Sequence, residues 1–148
     1  RSLYVLVKRT VPNPTLASFD APARTSCVIR RQETNTPLQA LVTLNDPTFV
    51  EAAKVMGEQI AKDPDRENAI RSAFRRLTGR RPSAAELSLL LKLQGEQYEK
   101  FRESPGKAAG WLGAGQYRVD KRLDSALVAA GAVVASTILN SDASLTKR

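Results

Sequence analysis

One segment limits the fold more than any other. From Ala126 to Ala135 the chain is apolar at every position but Gly131, and Ile138 and Leu139 extend the run. At about 14 residues it falls short of the ~20 that a membrane-spanning helix needs. It also exceeds the ~4–8 residues of a buried strand. A helix apolar on all sides must be covered by neighbours on all sides. The rest of the chain therefore has to supply several helices that wrap it. The expected fold is mainly α, a single-domain helical bundle of about five helices. A chain of 148 residues can close such a core without disulfides or metals.

The covering helices are announced by their start signals. Thr36-Pro37-Leu38-Gln39 combines a capping hydroxyl, Pro at the first helical position and Gln three residues after the cap. Asn45-Asp46-Pro47 ends that helix near Leu44 and opens the next, whose apolar face is Phe49, Ala52, Ala53, Met56 and Ile60. Asp63-Pro64-Asp65 opens a third helix with Ile70, Ala73, Phe74 and Leu77 on one side. Gly79 is placed to stop it in the left-handed conformation. Ser83-Ala84-Ala85-Glu86 is a second capping box, followed by Leu87, Leu90, Leu91, Tyr98 and Phe101, with Gln94 on the same face.

The remaining stretches lack this clarity. Residues 1–35 read as irregular, or as a short β-hairpin built from Leu3–Val7 and Cys27–Ile29, with Pro12, Pro14 and Pro22 between them. Residues 36–103 hold the helices just described. Residues 104–118 carry four glycines and read as a loop. Residues 119–140 are the buried final helix, started by Asp120 or Asp124, and Asn140–Arg148 is a polar tail. The chain opens on Arg rather than Met and is expected to be a fragment of a larger protein.

Composition removes many chemistries. There is no histidine, so no Ser-His or Cys-His nucleophile pair, no His-containing zinc site and no haem-attachment motif lies in these residues. The one cysteine, Cys27, is expected to be a small buried hydrophobe. The net charge is +8, with Arg71, Arg75, Arg76, Arg80 and Arg81 forming a run that contains no acid. Such a run suits phosphate, which keeps a basic nucleic-acid-binding helical domain as one alternative. The low aromatic content of 5% counts against stacking on single strands. The arrangement also suits the helix dipole, or a docking contact with an acidic surface. Asp46, Glu51, Asp120 and Asp124 are candidate acids for another alternative, a carboxylate- or metal-dependent part of a polysaccharide-degrading enzyme. That reading requires two of them to converge, and no catalytic or metal-ligand set is assigned.

The densest motif is Thr34-Asn35-Thr36-Pro37-Leu38-Gln39-Ala40-Leu41, continued by Leu44-Asn45-Asp46-Pro47 and Phe49-Val50-Glu51-Ala52-Ala53. It resembles the signature of the planctomycete-associated domain of unknown function 1553. The likeness extends through Lys8-Arg9-Thr10-Val11-Pro12 and Ala73-Phe74-Arg75-Arg76-Leu77-Thr78-Gly79-Arg80. Leu139-Asn140-Ser141-Asp142 resembles the family's close, with Ser141 as a departure. The resemblance implies a C-terminal domain of a large exported, often cytochrome-c-associated protein. It implies an extracytoplasmic place in the periplasm or envelope, no cofactor in these residues, and allows haem c in the parent. It assigns no catalytic residue. The leading expectation is a non-catalytic structural or interaction domain, its partners being other domains of the same parent chain or an envelope protein. Nucleic acid is disfavoured as a partner. The candidate binding surface is Arg30, Arg31, Asn35, Asn45, Asp46, Glu51, Arg71 and Arg75.

Overall fold

A computed structural model describes residues 5, 6, 8, 10–22, 26–30 and 34–145. Among them are eight helices and no strand: α1 (Pro14–Ser18), α2 (Pro37–Asn45), α3 (Pro47–Lys62), α4 (Arg66–Thr78), α5 (Ala84–Glu103), α6 (Pro105–Leu112), α7 (Ser125–Leu139) and α8 (Asp142–Leu145). The start signals act as read. Thr36 and Ser83 form complete capping boxes with Gln39 and Glu86. Asp46, Asp65 and Asp124 each accept a hydrogen bond from a first-turn amide. Gly79 ends α4 with φ 79°.

The second capping box carries a pH dependence. Arg80 donates to both Glu86 oxygens, at 2.9 and 2.5 Å, and the Ser83 amide donates to Oε2 at 2.7 Å. The Arg80 guanidinium, helped by that amide, holds the Glu86 carboxyl down to about 2 from the usual 4.5. A carboxyl depressed on folding stabilises the fold above its unfolded value, and that contribution disappears as pH falls toward the folded one. Glu86→Gln should therefore flatten the fall in melting temperature between pH 4.5 and 2. An unchanged acid slope in circular dichroism melts would exclude this role.

The core forms around α7, as its composition demands. Val128, Ala129, Ala130, Ala132, Val134 and Ala135 have no exposed surface. α3 and α5 cover most of the helix, and α4, α6 and α2 complete the wrapping. One cluster joins Ile60, Ile70, Phe74, Leu87 and Leu90 to Val134 and Ile138. A second joins Phe101 and Ala108 to Ala126, Ala129 and Ala130. α3 and α7 cross at their closest point through two glycines. A Cβ on Gly57 would lie 2.7 Å from both Ala132 Cα and Val128 O, and one on Gly131 would lie 2.9 Å from Gly57 O.

Five expectations need correction. The helix count is eight rather than about five, because α1, α6 and α8 are short elements outside the four strongly periodic segments and α7. No hairpin forms among the described residues; Leu3, Tyr4 and Val7 lie outside them. Asn13 instead caps α1, with Pro14 at its first position, so one of the three prolines opens a helix. The 104–118 stretch is helical through Leu112, because Ala108 is wholly buried against Phe101 and α7. Cys27 is exposed, since residues 26–30 present no periodic apolar face and all lie at the surface. Within the tail, Asp142–Leu145 forms α8.

Candidate functional site

Within the motif segment, α2 folds with two of its polar residues inward. On α2, Gln39 and Thr43 are each 2% exposed, whereas Leu38, Leu41 and Leu44 are 55, 58 and 46% exposed. Successive residues are 100° apart around a helix, so the three leucines span an arc of about 120°. Gln39 and Thr43 lie on the opposite side, toward the rest of the protein.

Polar partners from distant parts of the chain explain the inversion. Asp20 Oδ2 accepts from the Thr34 amide at 2.8 Å, from Thr34 Oγ1 at 2.7 Å and from Gln39 Nε2 at 3.4 Å. Gln39 Nε2 also donates to Thr34 Oγ1 at 3.1 Å. The Gln39 carbonyl oxygen of its side chain accepts from the Thr36 amide, and its own amide donates to Thr36 Oγ1. Thr43 Oγ1 donates to Asn140 Oδ1 at 2.8 Å, and Asn35 Nδ2 donates to Asp142 Oδ1 at 3.3 Å. Buried polar groups are tolerated when they are paired. This lattice ties the N-terminal segment, α2 and the end of α7 together, and it turns the leucines outward.

The other candidate residues have separate jobs. Asn45 Nδ2 donates to Leu41 O at 2.8 Å. Asp46 accepts the Thr48 amide at 2.8 Å. Glu51 Oε2 accepts the Gln116 amide at 2.6 Å, and with Pro47, Thr48, Ala52, Val55 and Gly115 it lines an open cleft. Arg71 pairs with Glu67 one turn earlier on α4 and lines a different cleft, with Arg81, Pro82, Leu87 and Leu91. Arg75 is exposed on the last turn of α4, and Arg30 is exposed; Arg31 lies outside the described residues. The candidate surface is thus divided between the α2–α3 side and α4.

The basic run is partly engaged by its own neighbours. Arg76 donates to Gln59 at 2.5 Å, and Arg80 holds Glu86 while stacking 4.9 Å from the Phe74 ring centroid. The four candidate acids are also dispersed over local tasks. Asp46 and Asp124 cap helices, Asp120 accepts the Arg122 amide, and Glu51 holds Gln116. Among the described residues, no three carboxylate or thiol groups come together in a way that would hold a metal ion. No helix among them is long and apolar enough to cross a membrane.

Sequence reasoning missed a polar strap on the far side of α3. Glu51, Lys54, Glu58 and Lys62 recur at helical spacing along one face. Lys54 has no exposed surface, and its ammonium donates to the carbonyls of Leu112 at 3.2 Å, Tyr117 at 2.9 Å and Ala114. Glu58 accepts from Lys62 at 2.5 Å and from Tyr117 Oη at 2.9 Å. The Lys62 ammonium, followed by the Tyr117 hydroxyl, outweighs burial and holds the Glu58 carboxyl below its ordinary value. The i, i+3, i+7, i+11 spacing of these charges was the available signal, but by itself it describes a solvated face.

The Thr34–Ala53 motif sits inside a longer stretch, residues 1–94, that one family model matches. The chain belongs to the PSD1 family, proteins of unknown function (DUF1553). No curated protein and no solved structure gives a match. The PSD1 match contains the whole of α1 to α4 and α5 as far as Gln94. It therefore contains every residue of the outward leucine face and of its Asp20–Thr34–Gln39 support. α7, which closes the core behind that face, lies beyond it.

Proposed function

We propose that this PSD1 chain is a non-catalytic interaction domain whose docking face is the leucine side of α2. The observation that carries this is the inverted burial of α2. A nine-residue helix keeps a glutamine and a threonine dry while three leucines at helical spacing face solvent. Apolar side chains grouped in this way mark contact surfaces far more often than isolated ones do. The partner is another domain of the same parent chain or an envelope protein, and the exposed Arg75 side of α4 adds a secondary contact. The setting is an exported, extracytoplasmic protein of planctomycete type whose haem c, where present, sits in another part of the parent. The family resemblance supports that setting.

The experiment joins stability to contact. The triple variant Leu38→Ser, Leu41→Ser, Leu44→Ser should keep the helical circular dichroism spectrum and melt within a few degrees of the parent. A photo-crosslinking residue in place of Leu41 should give one discrete covalent product in cells. That product should vanish when Leu38→Ser and Leu44→Ser are added. Unfolding of the triple variant would place the leucines in the core and remove the reading. So would turnover of glycan or ester substrates by the purified protein.

A further inference from the structure

We propose that the cleft between α4 and the start of α5 binds a small organic acid, a single carboxylate on a short branched aliphatic body. The site is separate from the leucine face of α2. Its floor is Leu87, which is buried, with Leu91 and Pro82, which are half-buried. Its rim is Glu67 and the exposed Arg71 and Arg81. Arg71 stands on α4, whereas Arg81 lies in the connection that follows Gly79. The left-handed turn at Gly79 therefore brings two guanidinium groups from different elements to one apolar depression.

Both arginines have donors to spare. Elsewhere in the basic run, Arg76 is turned to Gln59 and Arg80 to Glu86. Among the described residues no carboxylate pairs with Arg81. Arg71 donates to Glu67 through Nη2 alone, and a guanidinium has five N–H groups. The rim thus carries two positive charges and one negative. A single carboxylate brings it to neutrality, and its two oxygens match the fork of a guanidinium. A phosphate dianion overshoots that balance and meets the Glu67 carboxylate. The cleft holds about 470 Å³, within the range of small-molecule sites. Its apolar floor takes an aliphatic group of leucine size beside the charged rim.

Nitrogen-15 NMR titration of the full chain tests this, with 4-methylpentanoate as the probe at pH 7. Saturable shifts should centre on the amides of residues 71, 81 and 87–91. The amide of the same acid, which lacks the charge, and acetate, which lacks the body, should each bind about fivefold more weakly or worse. Arg81→Gln should weaken binding of the acid about tenfold, because it removes one of the two charged donors. Arg122→Gln, which removes the same charge at an exposed position before α7, should leave the affinity within about twofold. Glu67→Gln should tighten binding about threefold, because it frees an Arg71 donor and removes a repelling charge. All three variants should keep the helical circular dichroism spectrum of the parent. Equal binding of acid and amide overturns the proposal, and so does equal weakening by Arg81→Gln and Arg122→Gln. Tighter binding of isobutyl phosphate overturns the carboxylate assignment. Much tighter binding of a tetrapeptide with a C-terminal leucine gives the cleft to a chain end and overturns the free acid. Absence of saturable shifts at the cleft overturns the proposal outright, while the Leu41 crosslink still decides the docking reading by itself.

Discussion

Gly57→Leu is expected to abolish the cooperative fold. Gly57 sits where α3 crosses α7, and the atoms a side chain would meet are backbone: Ala132 N and Cα, and Val128 O. A neighbouring side chain could rotate aside, but a helix backbone cannot. Gly131 meets Gly57 from the other side under the same restriction. Any Cβ must therefore push apart the two helices that, among those described, pack most extensively on each other. Even one added methyl in a packed core costs about 1–3 kcal/mol. Alanine recovers part of this, because replacing a mid-helix glycine favours the helix by roughly 0.5–1 kcal/mol. Gly57→Ala should thus lower the melting temperature with the helical spectrum preserved. Leucine adds three further carbons at the same point and should leave no cooperative transition, against a typical domain stability of about 5–15 kcal/mol. The two variants form a graded series in far-ultraviolet circular dichroism. If Gly57→Ala melted at or above the parent temperature, the crossing would not be this close.

That crossing also marks the limit of what the sequence discloses. The all-round apolar run fixes α7 as the central helix, and local chemistry at Thr36, Asp46, Asp65, Ser83 and Asp124 fixes where helices start. These are short-range effects, written within four residues of where they act. Gly57 carries no such mark. A glycine inside a helical pattern looks like a mild defect until the partner backbone is known. α6 is hidden for a related reason. Its glycines disfavour helix locally, and the burial of Ala108 against a helix more than fifteen residues away compensates.

The candidate surface shows the same division. Half of its residues, Asn35, Asn45, Asp46 and Glu51, belong to the motif, and each is engaged within the protein. Asn35, expected at that surface, donates to Asp142, 107 residues away. The polar residues that turn inward are Gln39, expected only to close a capping box and paired with Asp20, and Thr43, paired with Asn140. The leucines between them look like core and lie outside. Pattern alone assumes that apolar faces point inward, and here paired polar groups fill the inward positions. The functional reading moves accordingly, from the arginines of α4 toward α2.

Lys54→Met should release the strap that covers α3. The ammonium has three donors, and it finds three carbonyls, those of Leu112, Ala114 and Tyr117, with no exposed surface of its own. Leu112 ends α6, so its carbonyl belongs to the group that a helix leaves unpaired, and a cation there also meets the negative end of the helix dipole. Methionine fills similar space but donates nothing. Three carbonyls are then left without their donor, against which the relief of burying a charge offsets only part. A net loss of about 1–3 kcal/mol follows. The loss should also be local: amides 113–117 should exchange faster, and trypsin should cut sooner after Arg118. Lys62→Met supplies a contrast in location. The Lys62 side chain is 52% exposed but the Glu58 side chain is only 4% exposed, so this variant leaves a buried carboxylate without its cation and leaves the three carbonyls paired with Lys54. Hydrogen exchange of both variants decides the matter. Unchanged protection at 113–117 in Lys54→Met would mean that the strap is held by Glu51 and Tyr117 alone, and that the buried lysine does not anchor it.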